Sequence, residues 1–154
     1  PENVHRLHDE LADWMVRNVT VKRNNADLQK TIDKLKELRE RYAHISLDDK
    51  GHLMNQTYVF ANQFKAMLEL ALAMTKSALV RNESRGAHFK TEYPKRDDAN
   101  WLKTTIATYR KDEPQITFKK VDTSYLEPFA RDYVHAKKIK PTLKNIPSNI
   151  QLPL

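Results

Sequence analysis

Cysteine is absent from this 154-residue chain, and that gap removes several chemistries at once. A disulfide scaffold, a thiolate zinc site, an iron–sulfur cluster and a cysteine nucleophile are all excluded. Glycine is almost as scarce, with only Gly51 and Gly86. Few tight turns and no glycine-rich phosphate loop can be built from two glycines so far apart. Long apolar runs are missing as well. The most apolar stretch, Met67 to Leu79, is broken by Glu69, Thr75, Lys76 and Ser77, and falls short of the roughly 18 residues a membrane span needs. No direct membrane insertion is expected. No signal-peptide pattern is present, since the N-terminus is polar and already reads as helix. A start at proline rather than methionine suggests a processed or excised chain.

Charge is plentiful but not concentrated. The net charge is +7, which invites nucleic acid or another anionic partner. The basic residues are nevertheless spread along the chain, and the few aromatics do not interleave with them as a stacking platform would. A solvated surface is expected, with no nucleic-acid binding.

Apolar residues make up 40% of the chain, and their spacing predicts helices. Val4, Leu7, Leu11, Trp14 and Met15 share one face of a first helix over about residues 3–19. Asn24 can cap a second, with Asp27 three positions on. Its stripe of Leu28, Ile32, Leu35, Leu38, Tyr42 and Ile45 is narrow, so packing on one side is expected. The polar turn Ser46–Gly51 ends it. A third helix, about 53–82, is apolar over more than half its circumference, which predicts a central position with partners on at least two sides. Beyond Gly86, Trp101–Tyr109 and Gln115–Val121 read as a β-hairpin turning at Arg110–Pro114. Tyr125–Ala136 could hold a short helical turn. The last residues carry Pro141, Pro147 and Pro153, which argue against regular structure, with Leu143, Ile146, Ile150 and Leu152 as possible anchors for a groove.

The predicted fold class is therefore mainly α: an antiparallel three-helix bundle (spectrin-repeat-like) with a C-terminal β-hairpin and an extended tail. Residues 1–122 form one domain on this reading. Residues 123–154 form a tail that packs on the domain or on a missing partner.

One segment is more specific than the helical pattern. Arg81-Asn-Glu-Ser-Arg-Gly-Ala-His88 is followed by Tyr93-Pro-Lys-Arg-Asp-Asp98 and then Trp101-Leu-Lys103. Gly86 can take the left-handed conformation that stops a helix. Glu83 and Arg85, then Arg96, Asp97 and Asp98, set opposite charges around a sharp redirection of the chain, where arginine and carboxylate can pair bidentately. Three roles are open on chemistry alone: a structural clasp orienting the hairpin, a docking surface for another domain, or catalysis by Arg85 or His88. The order and spacing of these elements resemble the C-terminal domain of the succinate dehydrogenase and fumarate reductase flavoprotein family, whose pattern runs R-x-E-S-R-G-A-H, Y/F-P-x-R-D-D, W-L-K.

That resemblance implies a larger parent protein in which a dinucleotide-binding domain holds FAD, a capping domain closes over a dicarboxylate, and electrons leave through an iron–sulfur subunit. It implies partners in the flavin-binding domain of the same polypeptide and the iron–sulfur subunit. It also implies a cytoplasmic place, peripheral on the inner face of the membrane through the parent complex. No catalytic, cofactor-binding or metal residue carries over to this chain, which is expected to be inactive alone. The motif residues Glu83, Ser84, Arg85, Gly86, His88, Arg96, Asp97, Asp98 and Trp101 are expected to serve as clasp or docking surface. The C-terminal domain of L-aspartate oxidase and a stand-alone helical interaction module are the alternatives. His5 and His8, three apart on one helix, could present two metal ligands, but no third is evident. His44, His52 and His135 are isolated.

Overall fold

Each long helix begins at an asparagine that satisfies amides left open at a helix start. The computed structural model describes residues 1–51, 53–125 and 128. Asn3 accepts from the amides of His5 and Arg6 ahead of α1 (Val4–Asn18). Asn24 accepts from the Asp27 amide ahead of α2 (Asn25–Tyr42), and its side-chain amide donates back to Asp27 Oδ2 at 2.6 Å. Asn55 accepts from the Tyr58 amide ahead of α3 (Gln56–Val80). Two two-residue strands, β1 (Lys22–Arg23) and β2 (Phe89–Lys90), pair in parallel. A single helical turn, α4 (Asp98–Trp101), leads into β3 (Lys103–Thr108) and β4 (Gln115–Lys120).

The three long helices pack pairwise around one core. Val4, Leu7 and Leu11 of α1 meet Ile32, Leu35 and Leu38 of α2 and Ala61, Phe64, Leu68, Ala71 and Leu72 of α3. The mainly helical class with a small hairpin is thus as expected. α2 buries a single narrow stripe, as expected, and shares it between α1 and α3. One detail of packing differs. α3 buries only the face running from Ala61 to Ala78. Met67, Leu70 and Met74 on its other side are exposed, since no described element lies over them.

The helix ends also differ from the sequence pattern. Ile45 lies past α2 and forms a backbone bridge with Glu2. Arg41 reinforces that closure, donating to Glu2 at 2.8 Å and to Glu10 at 2.8 Å. α3 stops at Val80 because Arg81 is extended. Gly86 is therefore not its terminating residue. Its φ of 57° serves the tight turn in which Arg85 and His88 exchange backbone hydrogen bonds.

The hairpin is antiparallel, with Lys103 opposite Lys120 and Thr108 opposite Gln115. Its turn falls as expected and is anchored to the helices. Glu113 pairs with Lys36 of α2 and Lys76 of α3, and Arg39 donates to the Asp112 carbonyl at 2.8 Å. Hydrogen bonds from Lys36 and Lys76 hold the Glu113 carboxyl down at about 2. Partly exposed pairs of this kind contribute about 1 kcal/mol in all. Glu113→Gln is accordingly expected to speed hydrogen exchange of the hairpin amides about fivefold without lowering the helix signal. In the native chain the same loosening is expected only as pH falls from about 4.5, where a released Glu113 takes up its proton, toward 2. Exchange rates indifferent to Glu113→Gln would show that the turn is held by other contacts.

The helical turn expected within 125–136, the tail anchors and His52 and His135 lie outside the described residues, apart from Tyr125 and Pro128.

Candidate functional site

The segment after α3 has few apolar residues to bury, so its shape rests on polar contacts. Glu83 is fully buried. A carboxylate placed there needs every lone pair met, and five donors meet them. Arg81 donates through Nε at 2.9 Å and Nη2 at 2.5 Å. Arg85 donates through Nε at 2.9 Å and Nη2 at 3.0 Å. The Asp97 amide adds a fifth at 3.1 Å. Burial pulls the Glu83 carboxyl upward, but the bonds from Arg85, the Asp97 amide and Arg81 outweigh it and hold it below the ordinary carboxylate value.

Each arginine then reaches a further element. Arg81 donates to the carbonyls of Trp101 (2.7 Å) and Lys103 (2.9 Å) and to Thr105 Oγ1 (3.0 Å), so it links the end of α3 to the first residues of the hairpin. Arg85 reaches Asp98 at 2.6 Å, and Arg96 grips the same carboxylate with two bonds of 2.7 Å. Those bonds, from Arg96 first, hold Asp98 at about 2. Asp97 differs from expectation. Its side chain caps α4, accepting from the Asn100 amide at 3.1 Å, instead of pairing with an arginine. Trp101 ends that turn and is not a strand residue. Its ring meets Phe118 edge-on at 5.5 Å, with the Lys103 ammonium 4.4 Å from its centroid.

Ser84 and His88 tie down the other side. Ser84 Oγ donates to the Tyr93 carbonyl at 2.7 Å and accepts from the Lys90 amide at 2.9 Å. Arg23 donates to His88 Nδ1. A guanidinium can only donate, so Nδ1 must be bare and the proton sits on Nε2, which donates to the Arg81 carbonyl at 3.2 Å. Burial lowers the His88 pKa, against the Arg81 carbonyl, which favours the charged form. A neutral imidazole in this tautomer suits the Arg23 contact. Through it, and through the pairing of β1 with β2, the motif is joined to the α1–α2 corner.

All nine expected residues therefore gather at one end of the molecule, and each polar side chain among them has a partner within the chain. Arg23 and Lys90 were not singled out in advance. Arg23 lies about 60 residues from the motif, and its β-branched, basic surroundings carry no sign of that distant partner. Lys90 is fully buried, its ammonium donating to the Leu79 carbonyl at 2.7 Å and Asn82 Oδ1 at 3.1 Å. It closes the end of α3, the role the sequence assigned to Gly86.

Elsewhere, His5 stacks on Phe60 at 4.7 Å and His8 meets Phe60 and Phe64 edge-on. Aromatic packing thus occupies the pair considered as metal ligands. Among the described residues, no three His, Asp or Glu side chains are placed to hold a metal ion, and no helix is long and apolar enough to cross a membrane.

Residues 8–133 match the family model described as fumarate reductase flavoprotein C-term. The chain is 46% identical over 141 residues to the succinate dehydrogenase flavoprotein subunit of Bacillus subtilis, covering 90% of this chain and 24% of that one. It is 34% identical over 133 residues to the fumarate reductase flavoprotein subunit of Haemophilus influenzae, covering 86% and 22%. Among solved structures, a mutant FrdA of E. coli quinol fumarate reductase superposes with a TM-score of 0.75 at 33% identity, over 78% of this chain and 21% of that one. Mycobacterium smegmatis Sdh1 in complex with UQ1 gives 0.67 at 32% identity, over 77% and 20%. The chain thus spans about a quarter of the length of the curated relatives it matches. These relatives are succinate dehydrogenases and fumarate reductases, not the L-aspartate oxidase considered above.

Proposed function

Because this chain belongs to the fumarate reductase flavoprotein C-terminal family, we propose that it serves as the helical domain of a subunit interconverting succinate and fumarate with FAD. Its own part in that work is structural. The observation that carries this reading is the saturation of the motif. Arg85 and His88, the residues with catalytic chemistry, are committed to Glu83, Asp98, Arg23 and the Arg81 carbonyl, which leaves neither poised over a substrate. Residues 1–122 act as one domain, with 123–154 as an extension packing on it or on a partner.

The residues here do not fit FAD. Two isolated glycines cannot form a dinucleotide loop, and the arginines that could bind a pyrophosphate are neutralised by carboxylates. The flavin and the dicarboxylate site are therefore assigned to the rest of the parent polypeptide. In that assembly the domain contacts the flavin-binding domain and the iron–sulfur subunit, on the cytoplasmic face of the membrane.

The purified 154-residue chain is expected to be colourless and to leave artificial electron acceptors unreduced by succinate. The full polypeptide carrying it should bind flavin and support that reduction. Flavin absorbance in the short chain would overturn the assignment of the cofactor elsewhere. A reading frame with no glycine-rich dinucleotide motif ahead of Pro1 would overturn the role itself.

A further inference from the structure

The outward side of α3 is out of keeping with the rest of the surface. Val59, Met67, Leu70 and Met74 lie within about 60° of one line down the helix at 3.6 residues per turn, and all four are exposed, Leu70 at 64% and Met74 at 56%. Ala66 and Ala73 share that line. The polar residues among them, Gln63 and Ser77, are uncharged. In a chain that is 31% charged, a helix side some 18 residues long without a charge is not a solvated face. Glu69 and Lys76 on its flank are drawn away from it, paired to Arg39 and to Glu113. At its C-terminal end the stripe runs into a groove whose far wall is Thr105 and Ala107 of β3.

We propose that this stripe and the adjoining wall of β3 form the surface on which the remainder of the same polypeptide docks. The proposal rests on the function proposed above and specifies where that contact lies. Two features select this occupant over a second copy of the chain. Relatives carry about three-quarters of their length outside the matched region, so a large folded partner is covalently supplied. The stripe is also small, about 27 Å by 10 Å from helix dimensions, well below the roughly 800 Å² per partner of a stable interface between separate chains. Tethered domains manage with less, because linkage raises their effective concentration to about millimolar. The partner face it fits is uncharged, with aliphatic and small side chains. Arg23 and Arg81 line the inner end of the groove, but Arg81 is committed to Glu83 and Arg23 donates to His88 and to the Val19 and Thr20 carbonyls, so both guanidiniums are engaged within the chain.

The test substitutes Leu70→Glu and Met74→Glu together in the full polypeptide. Proteolytic release of this domain is expected to become at least about tenfold faster, since two apolar contacts are lost and two charges are placed in the joint. The same pair of substitutions in the 154-residue chain should leave its melting temperature unchanged, because both side chains already face solvent there. Unchanged protection, in a full polypeptide that binds flavin and oxidises succinate, would place the joint elsewhere and overturn the proposal while the function stood. A full wild-type polypeptide that binds no flavin would overturn the function on which the proposal rests. Two further results would overturn the occupant. One is a wild-type chain that runs as a dimer and becomes a monomer with Leu70→Glu. The other is a stripe that binds hydrophobic dye only after residues 126–154 are removed.

Discussion

Replacing Glu83 by alanine should cost this domain more stability than any other single change at the motif, on the order of 3–5 kcal/mol. The magnitude follows from what is left behind. Glu83 is buried at the meeting point of Arg81, Arg85 and the Asp97 amide. Deleting it leaves two guanidinium groups facing each other with no anion between them. Arg81, whose side chain is only 14% exposed, cannot swing into water without releasing Trp101, Lys103 and Thr105. The hairpin then loses its link to α3, while the core of Phe64, Leu68 and Leu72 is untouched. Glu83→Gln keeps the shape and removes the charge, so a cost of about 3 kcal/mol is expected. For a domain of this size that corresponds to a fall in Tm of roughly 6–12 °C. Arg85→Ala should cost less, because Asp98 keeps Arg96 and Glu83 keeps Arg81. In a double-mutant cycle, Glu83→Gln and Arg85→Met should be clearly non-additive. The pH dependence has a fixed sign. The Glu83 carboxyl is held below its unfolded value, so the unfolded chain takes up the proton first. Stability is complete above about pH 4.5 and falls below it. Thermal melts of the two Glu83 variants within about 1 kcal/mol of the native chain would show that the cluster is ornamental.

The helices and the hairpin were legible in the sequence because each is specified by neighbours. Asn24 with Asp27 marks a start through contacts three residues apart, and alternation from Gln115 to Val121 marks a strand whatever it packs against. The motif was legible as a unit because its charges lie within about 20 residues of one another. Its wiring was only partly so. Glu83 with Arg85 and Arg96 with Asp98 could be anticipated from sign and spacing. Asp97 as a cap could not, since that role depends on a helical turn too short to show a period. Contacts across the fold were hidden for a simpler reason. Nothing in Lys22-Arg23 points to His88, and nothing in Asp112-Glu113 points to Lys36 and Lys76. The width of the apolar surface on α3 was visible, but composition does not say whether a partner lies within the chain. A central helix and a helix awaiting another domain write the same pattern.

Lys90 should make the domain more stable in mild alkali than at neutral pH, against the usual trend. Its ammonium is fully buried, and no carboxylate among the described residues is in contact with it. Burial, with some opposition from Glu92 and added repulsion from Arg23, pushes its pKa down to about 8 from the ordinary 10.5. Below pH 8 both the folded and the unfolded chain carry the proton, and the folded state bears the cost of a dry charge. Between about 8 and 10.5 the unfolded chain still holds the proton and the folded one does not. Stability must therefore rise with pH across that window, by up to about 3 kcal/mol. The Leu79 carbonyl and the negative end of α3 work in the other direction, because both favour the ammonium. Lys90→Met separates the two influences. It keeps most of the packed volume, removes the titration and leaves the Leu79 carbonyl without its donor. Urea midpoints for the variant should be flat from pH 7.5 to about 10, where those of the native chain climb. The two curves should lie closest near neutral pH, where the native chain still carries the buried charge that the methionine avoids. A native curve as flat as that of the variant would mean that the helix end holds the ammonium at its ordinary pKa. Lys90 would then be a cap with a stable charge, and Lys90→Met would lower stability equally at every pH.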